Sequence, residues 1–203
     1  SVDVAELKTK IDAMPDNVPG QTFNLTTSVD AGKDFIGTEK GDLFTAHYDA
    51  QANVPVHTLS ALDELDGAAG KDTLKITSDN GATAYTMAAA TIKNIEAITI
   101  QGSAAVTANV AGSNITGLET ISVLKSTTAA VHANSTTDVN VSGATGTIEV
   151  SGGKNVVVND STGNKAITIG ETSTVGTTVT ETNAKGTITV TDTDNSAANA
   201  ITV

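Results

Sequence analysis

The chain has 203 residues, a formal net charge of −12, 38% apolar residues and 2% aromatic residues. It contains no Cys and no Trp, and every basic residue is Lys. The absence of Cys excludes a disulfide scaffold and a Cys-ligated zinc site. The low content of basic and aromatic residues argues against a protein that binds nucleic acid, and no apolar run is long enough to predict a membrane span.

The first of three predicted divisions, residues 1–20, is a short helix followed by a linker. Apolar residues recur at roughly helical spacing within residues 2–14, Asp3 is placed to cap the start of this helix, and Pro15 ends it. We expect the helix to pack against the rest of the chain or to cap one end of it, and the alternative is an amphipathic helix that binds a partner. Its apolar positions are Val4, Leu7, Ile11 and Met14.

The second division, residues 21–80, is acidic and alternates short strands with turns rich in Gly and Asp. Residues 1–80 contain 14 acids and 6 Lys, for a net charge of −8, whereas residues 81–203 contain 9 acids and 5 Lys, for a net charge of −4. The carboxylates are therefore concentrated in the first part of the chain.

The third division, residues 81–203, is repetitive. The segment NIEAITI at residues 94–100 matches GLETISV at residues 117–123, with an offset of 23 residues, and short apolar–polar–apolar triplets recur after it. A period of roughly 20 residues predicts stacked structural repeats. Two short strands per repeat predict an all-β fold, a parallel β-solenoid (β-helix), which can be continuous with residues 21–80.

The alternative fold is an immunoglobulin-like β-sandwich, because that fold also has turn signals about every 8–12 residues. A sandwich core usually needs large aromatic side chains, and this sequence has none after Tyr85. The composition therefore favours the solenoid, whose narrow core is filled by small and β-branched side chains.

One acidic turn carries a recognisable motif. The segment GAAGKDTLK at residues 67–75 resembles the calcium-binding nonapeptide GGxGxDxUx of the repeats-in-toxin (RTX) family, in which U is a large apolar residue. Ala68 replaces the second Gly of the motif. The segment GTEKGDLFT at residues 37–45 is a weaker copy, with Lys40 where the family has Gly.

A longer pattern surrounds these two turns. The segments QTFNLTTSVD, DFIGTEKGDLFTA and LSALDELDGAAGKDTLKI, with the NIEAITI line after them, resemble a module of bacterial surface-layer (S-layer) and type I-secreted surface proteins. The resemblance covers residues 21–123 and marks the chain as similar to a fragment of such a protein. It implies an extracellular, secreted location on the bacterial cell surface, β-solenoid segments and dependence on Ca²⁺.

The resemblance also implies which residues bind calcium. The metal ligands are expected at one site around the stronger motif and at a second around the weaker one, with neighbouring turns completing the six to eight oxygen ligands that Ca²⁺ prefers. The alternative for each is a turn capped by an acid, since Asp and Gly are ordinary turn residues. The candidates are Asp72, Asp66, Asp63, Gly67 and Gly70, and then Asp42, Asp34 and Gly37.

Two further groups of residues are weaker candidates. The segment Asp192–Asn195 resembles a calcium loop but lacks its Gly and its downstream acid, so a solvated turn is expected there. His47, His57 and His132 are the only histidines, and none lies in a known catalytic motif. We therefore predict that the protein is not an enzyme. A β-helical enzyme acting on polysaccharides is a third, less favoured reading.

The predicted function is structural. We expect a self-assembling component of an extracellular bacterial surface layer, stabilised by Ca²⁺, whose partners are copies of itself or neighbouring domains of a larger surface protein. The alternative is an adhesin module that binds a cell-surface glycan through a groove with aromatic residues near Phe44, Tyr48 and Tyr85. No nucleic-acid partner and no membrane span are expected.

Overall fold

A computed structural model of the protein describes residues 20–49, 56–79, 83–159, 166–170, 178–182, 187–191 and 201–202. The predicted helix at residues 2–14 and the loop at residues 192–195 lie outside the described residues. In the described residues nearly all regular structure is β-strand, with one short 3-10 helix at Gly32–Phe35. No described helix is long and apolar enough to cross a membrane.

The strands are short, as the recurring apolar–polar–apolar triplets predict. In chain order they are β1 (Thr22–Asn24), β2 (Leu43–Asp49), β3 (Val56–His57), β4 (Glu64–Asp66), β5 (Thr73–Ser78), β6 (Tyr85–Thr86), β7 (Thr91–Lys93), β8 (Ala97–Gly102), β9 (Val106–Asn109), β10 (Ile115–Thr116), β11 (Thr120–Leu124), β12 (Ala129–Ala133), β13 (Asp138–Ser142), β14 (Ile148–Gly152), β15 (Asn155–Asn159), β16 (Ile167–Gly170), β17 (Thr178–Thr182), β18 (Ile188–Thr191) and β19 (Ile201–Thr202).

These strands form three sheets. Sheet 1 has the order β1-β2-β5-β8-β11-β13-β15-β17-β19, sheet 2 the order β4-β7-β10, and sheet 3 the order β6-β9-β12-β14-β16-β18. From β5 to β10 the chain visits sheet 1, sheet 3 and sheet 2 in turn, and from β11 onward it alternates between sheets 1 and 3. Each pass therefore adds one strand to each sheet that it visits.

Strand pairing is parallel throughout the described residues, except between β2 and β3. Parallel strands require a long connection between neighbours, and the chain supplies it by visiting the other sheets in between. The immunoglobulin-like sandwich alternative is wrong, because that fold is built from antiparallel strands.

The 23-residue offset between the two matching sequence segments is also the offset between the paired strands β8 and β11. Ile98 pairs with Ile121 and Ile100 with Val123, so the two matching segments lie side by side in sheet 1. Elsewhere in sheet 1 the offset is not fixed. It is shorter between β13 and β15, where Val139 pairs with Val156, and longer between β2 and β5, where Leu43 pairs with Thr73.

Alternate residues of each strand are buried. In β13, Val139 and Val141 are buried and Asn140 is partly exposed, and β14 has the same pattern around Glu149. The parallel register stacks the buried side chains of successive strands into columns, which gives the narrow apolar core that the composition predicts. In sheet 1 one such column contains Phe44, Leu74, Ile98, Ile121, Val139 and Val156, all 0% exposed.

Sheet 1 crosses the predicted boundary between the second and third divisions. The last strand before residue 80 is β5, and it pairs along its whole length with β8. The acidic turns and the repetitive segment therefore share one sheet. The division of the chain into separate domains stays a prediction.

Candidate functional site

Four acidic residues occupy equivalent positions in successive turns of the chain, each directly before a strand of sheet 1. The register of β2, β5, β8 and β11 aligns them. We call this set the acidic column; it consists of Asp42, Asp72, Glu96 and Glu119.

Carboxylates in the acidic column accept hydrogen bonds from the backbone of the preceding turn. The Asp72 N–H donates to Glu96 Oε2 at 2.8 Å, and the Asp42 N–H donates to Asp72 Oδ1 at 2.6 Å. The Gln21 N–H donates to Asp42 Oδ1 at 2.5 Å. Each of these three acids thus satisfies a backbone donor at the start of the neighbouring strand, where the sheet hydrogen bonds begin.

The two nonapeptide turns, residues 37–42 and 67–72, lie one above the other. A Cβ atom on Gly37 would overlap the carbonyl oxygen of Gly67, and a Cβ atom on Gly67 would overlap the carbonyl oxygen of Asn94. Gly70 has φ of +129°, and a Cβ atom there would overlap the Lys40 carbonyl. The motif glycines are therefore required by the stacking of turns, and at Gly70 also by the backbone conformation.

The two turns differ in how their Asp side chains are satisfied. In the first turn, the Thr38 N–H donates to Asp42 Oδ2 at 2.5 Å, and the Thr38 hydroxyl also lies within hydrogen-bond distance of both carboxylate oxygens. In the second turn, the Ala68 N–H donates to Asp66 Oδ1 instead, at 2.9 Å. Ala68 has φ of +66°, so it adopts the left-handed conformation of the Gly that it replaces in the motif.

As a result, Asp72 Oδ2 is buried and has no hydrogen-bond partner. The residue is 1% exposed. Burial raises the pKa of the Asp72 carboxyl above its usual range, although the hydrogen bond from the Asp42 N–H lowers it. The negative charges of Glu96, Asp42 and Asp66 raise this pKa further. An ionised carboxylate at this position is therefore incompletely compensated by the protein.

Asp66 lies at the edge of the same turn. Its Oδ1 accepts hydrogen bonds from the Ala68 N–H and, at 2.8 Å, from the Asn94 side-chain amide. The negative charge of Asp66 is one of the charges that raise the pKa of Asp72, so these two predicted ligands lie near each other.

Asp63 caps a different turn, at the start of β4. Its carboxylate accepts from the Ser60 N–H and hydroxyl, both at 2.7 Å, and from the Asp30 N–H at 3.0 Å. Asp30 caps the turn below it in the same way, with Thr26 as the donor of two hydrogen bonds. Both Asp63 carboxylate oxygens therefore already accept hydrogen bonds from these two turns, as expected if Asp63 only caps a turn.

Asp34 is not part of the acidic column. It lies in the 3-10 helix at Gly32–Phe35, its side chain is 78% exposed, and its closest charged partner is Lys33 at 3.8 Å. The prediction that Asp34 joins Asp42 around a metal ion therefore has no support in this geometry.

Among the described residues, no three His, Asp or Glu side chains are grouped so that they could hold a metal ion by themselves. Any calcium ligand set near Asp72 would therefore need backbone carbonyl oxygens, which Ca²⁺ accepts readily. The stacked turns provide such groups, since the Asn94 carbonyl oxygen and Asp72 Oδ2 both lie within 3 Å of the position that a Cβ atom on Gly67 would occupy.

The histidines do not form a common site. His47 Nδ1 lies 3.6 Å from Asp79 Oδ2, whereas the His57 ring packs edge-on against Tyr48, with 4.5 Å between ring centroids. His47 and Tyr48 are adjacent in β2 and point to opposite faces of the strand. His132 lies far along the sequence and contacts the Ser151 hydroxyl at 3.0 Å.

The expected aromatic groove is also absent at the residues named for it. Phe44 is 0%, Tyr48 7% and Tyr85 4% exposed, and the two tyrosine rings pack against each other with 5.1 Å between centroids. Tyr48 and Tyr85 also line a small cavity of about 60 Å³. The prediction of an exposed aromatic groove at these three residues is wrong, because all three are buried, whereas glycan binding by the chain stays a prediction.

Sequence reasoning missed the roles of Glu96 and Asn94. Both lie in the repeated NIEAITI line, and Glu96 directly precedes a strand, as Asp72 does. That shared position directly before a strand is the sequence feature from which the role of Glu96 could have been predicted. The turn before Glu96 is shorter than the nonapeptide turns, so its acid could not be aligned with them by the motif alone.

No protein-family model matches the chain, and no curated protein matches its sequence.

Proposed function

We propose that the protein is a structural component of an extracellular bacterial surface layer, built as a parallel β-solenoid and stabilised by Ca²⁺. In this proposal the protein has a mechanical role and no catalytic one. It forms a stiff, repetitive structure in which calcium stabilises the acidic turns, and its surfaces contact other copies or neighbouring domains.

The solenoid part of the proposal is supported by the order in which the chain visits its sheets. Parallel strands, one per pass in each sheet, and columns of identical or similar buried residues are the features of stacked structural repeats. Such a body gains length by repetition and needs no wide core, which suits a chain with 2% aromatic residues.

The calcium part rests on one observation, the buried and unpartnered Oδ2 of Asp72. A cation there would compensate the charge of Asp72 and the nearby charges of Asp66 and Glu96. Ca²⁺ fits the chemistry because the available donors are carboxylate and carbonyl oxygens, and no nitrogen or sulfur ligand lies in these turns. Asp42 is a poorer ligand, since its oxygens already accept hydrogen bonds.

The extracellular location and the self-assembly rest on the resemblance to surface-layer proteins and on the physics of the fold. Metal that binds only the folded form stabilises it by mass action, so weak calcium sites are useful where calcium is abundant, as it is outside cells. Among the described strands, β1 pairs on one side only, and an unpaired edge is a natural place for contact with another chain.

The test is thermal unfolding and particle size, measured for the full chain with calcium and with excess chelator. We expect calcium to raise the melting temperature and to promote ordered assemblies visible by light scattering and electron microscopy. Asp72→Asn should abolish the calcium-induced rise, because it removes the charged ligand but keeps an oxygen for the Asp42 N–H.

The matched control is Asp42→Asn, which alters the equivalent position of the weaker turn. This variant should melt at a lower temperature but should keep its response to calcium. A parent protein whose melting temperature is the same in calcium and in chelator would overturn the calcium part. A calcium response without any assembly would overturn the surface-layer part.

A further inference from the structure

A pocket lined mostly by polar residues lies at the corner where three consecutive strands of sheet 1 end. Its volume is about 170 Å³, and the strands β5, β8 and β11 bring its walls together. Its polar lining residues are Thr77, Ser78, Asp79, Gln101, Ser103 and Lys125. The pocket is separate from the acidic column, which lies at the opposite ends of the same strands.

The lining groups have unused hydrogen-bonding capacity. The Gln101 amide and the Lys125 ammonium group have no hydrogen-bond or ion-pair partner among the described residues. The carboxylate of Asp79 is 60% exposed, and its Oδ2 lies 3.6 Å from His47 Nδ1. The pocket is therefore lined by one anionic acceptor, one cationic donor, an amide and three hydroxyl residues, of which Ser103 already donates to the Ser78 carbonyl at 3.3 Å.

The backbone at Lys125 is strained in a way that points to a role for its side chain. Lys125 has φ of +57°, in the left-handed region that favours Gly. On the next strand of sheet 1 the equivalent position is Gly143, with φ of +67°. A Lys therefore occupies a position where Gly would fit without strain, and such outliers concentrate at functional sites.

We propose that this pocket binds one sugar residue of a glycan. Sugar hydroxyls both donate and accept hydrogen bonds, so they match a pocket with a carboxylate, an amide and an ammonium group better than an apolar ligand or a simple ion does. The volume suits a single monosaccharide. Because no aromatic platform contributes, the affinity of one pocket is weak, and firm attachment to a glycan surface requires several copies.

This site is independent of calcium and of lattice formation. The experiment is binding of the full chain to an array of immobilised neutral, amino-sugar and uronate-containing oligosaccharides, followed by titration of the best one in chelator. We expect binding in chelator, and a loss of at least tenfold in affinity for Gln101→Ala and for Lys125→Gly. Lys125→Gly should melt no lower than the parent, because Gly relieves the strained backbone.

The control is Lys75→Ala, which removes the same charge from an exposed position of β5 outside the pocket. It should bind the glycan as the parent does. The proposal is overturned if no oligosaccharide binds, if Lys75→Ala weakens binding as much as Lys125→Gly does, or if free amino acids bind and displace the glycan.

Discussion

At the scale of single residues, two glycines differ in what surrounds them. A Cβ atom on Gly67 would overlap the Asn94 carbonyl of the next turn, whereas Gly170 has no atom within 4 Å of the same position and lies in a strand. We expect Gly67→Ala to lower the free energy of unfolding by about 1–3 kcal/mol, as overpacking does. Gly170→Ala should leave it unchanged or raise it slightly, because Ala restricts the unfolded chain. Urea unfolding of both variants measures the difference, and equal effects would contradict the stacking of the turns.

The pKa of Asp72 gives a second prediction at this scale. The folded-state pKa is raised above the usual value of 3.8, so the folded protein binds the Asp72 proton more tightly than the unfolded chain does. Ionisation of this group therefore destabilises the calcium-free fold as the pH rises from the usual pKa through the raised one. Asp72→Asn should melt higher than the parent at neutral pH in chelator, and this gap should shrink as the pH falls toward the usual pKa of an Asp. A gap that is the same at both pH values would show that burial of the charge is not its cause.

Asp42 should behave in the opposite way, although the sequence motif treats the two residues alike. Its carboxylate accepts from the Gln21 and Thr38 backbone donors. An Asn side chain can satisfy only one of them with its oxygen, and the loss of a charge-assisted hydrogen bond costs about 2 kcal/mol. For a chain of this length that corresponds to a melting temperature lower by roughly 4–8 °C. Calorimetry at neutral pH in chelator tests this, and an unchanged melting temperature would contradict the hydrogen bonds described here.

At the scale of strands, inward and outward positions should differ sharply. Ile98 is 0% exposed in the core of sheet 1, and Thr99 is its partly exposed neighbour on the outer face. Ile98→Ala should cost about 2–5 kcal/mol of unfolding free energy through the cavity that it leaves. Thr99→Ala should cost less than about 0.5 kcal/mol. Urea unfolding distinguishes them, and similar losses would mean that the alternation of β8 is misassigned.

The sequence predicted strands better than turns, for a physical reason. Alternation of apolar and polar residues fixes which side chains of a strand are buried, so the triplets and the pairing of residues 94–100 with residues 117–123 could be read directly. The groups that a turn residue contacts depend on small differences in the length of the turn. Both carboxylate oxygens of Asp42 accept hydrogen bonds from backbone and hydroxyl donors. At Asp72 one carboxylate oxygen has no partner, because the Ala68 N–H donates to Asp66 instead. The pocket around Lys125 had no signal at all, since its walls come from three separate passes of the chain.

At the scale of the whole molecule, the fold is a series of similar passes whose lengths vary. The acidic turns and the repetitive segment form one continuous sheet because the buried columns keep their register while the loops between them change. In sheet 1 the pass is longest between β2 and β5, where Leu43 pairs with Thr73, and shortest between β13 and β15, where Val139 pairs with Val156. It lengthens again between β15 and β17, where Asn155 pairs with Thr178. The four acids of the acidic column all precede strands in the part of sheet 1 that runs from β2 to β11.

This organisation predicts that one pass can be removed if register is kept. Deletion of residues 97–119, which we call the in-register deletion, joins Glu96 to Thr120. It places β11 beside β5 in sheet 1 and β12 beside β6 in sheet 3, because β11 is aligned with β8 and β12 with β9. Sheets 1 and 3 each lose one strand and shift by the same number of residues, so the side chains that face the core remain inward. Sheet 2 loses its end strand, β10.

The matched control is deletion of residues 97–118, which is one residue shorter and retains Glu119 as an extra residue before β11. That residue either flips the side chains of the strand to the wrong face or forces a bulge. We expect the in-register deletion to give a folded protein with cooperative thermal unfolding and the shorter deletion to be markedly less stable. An in-register deletion that does not unfold cooperatively would show that the passes are not equivalent structural units. Equal stability of the two deletions would show that the turn before β11 absorbs an extra residue, as turns of different length do elsewhere in sheet 1.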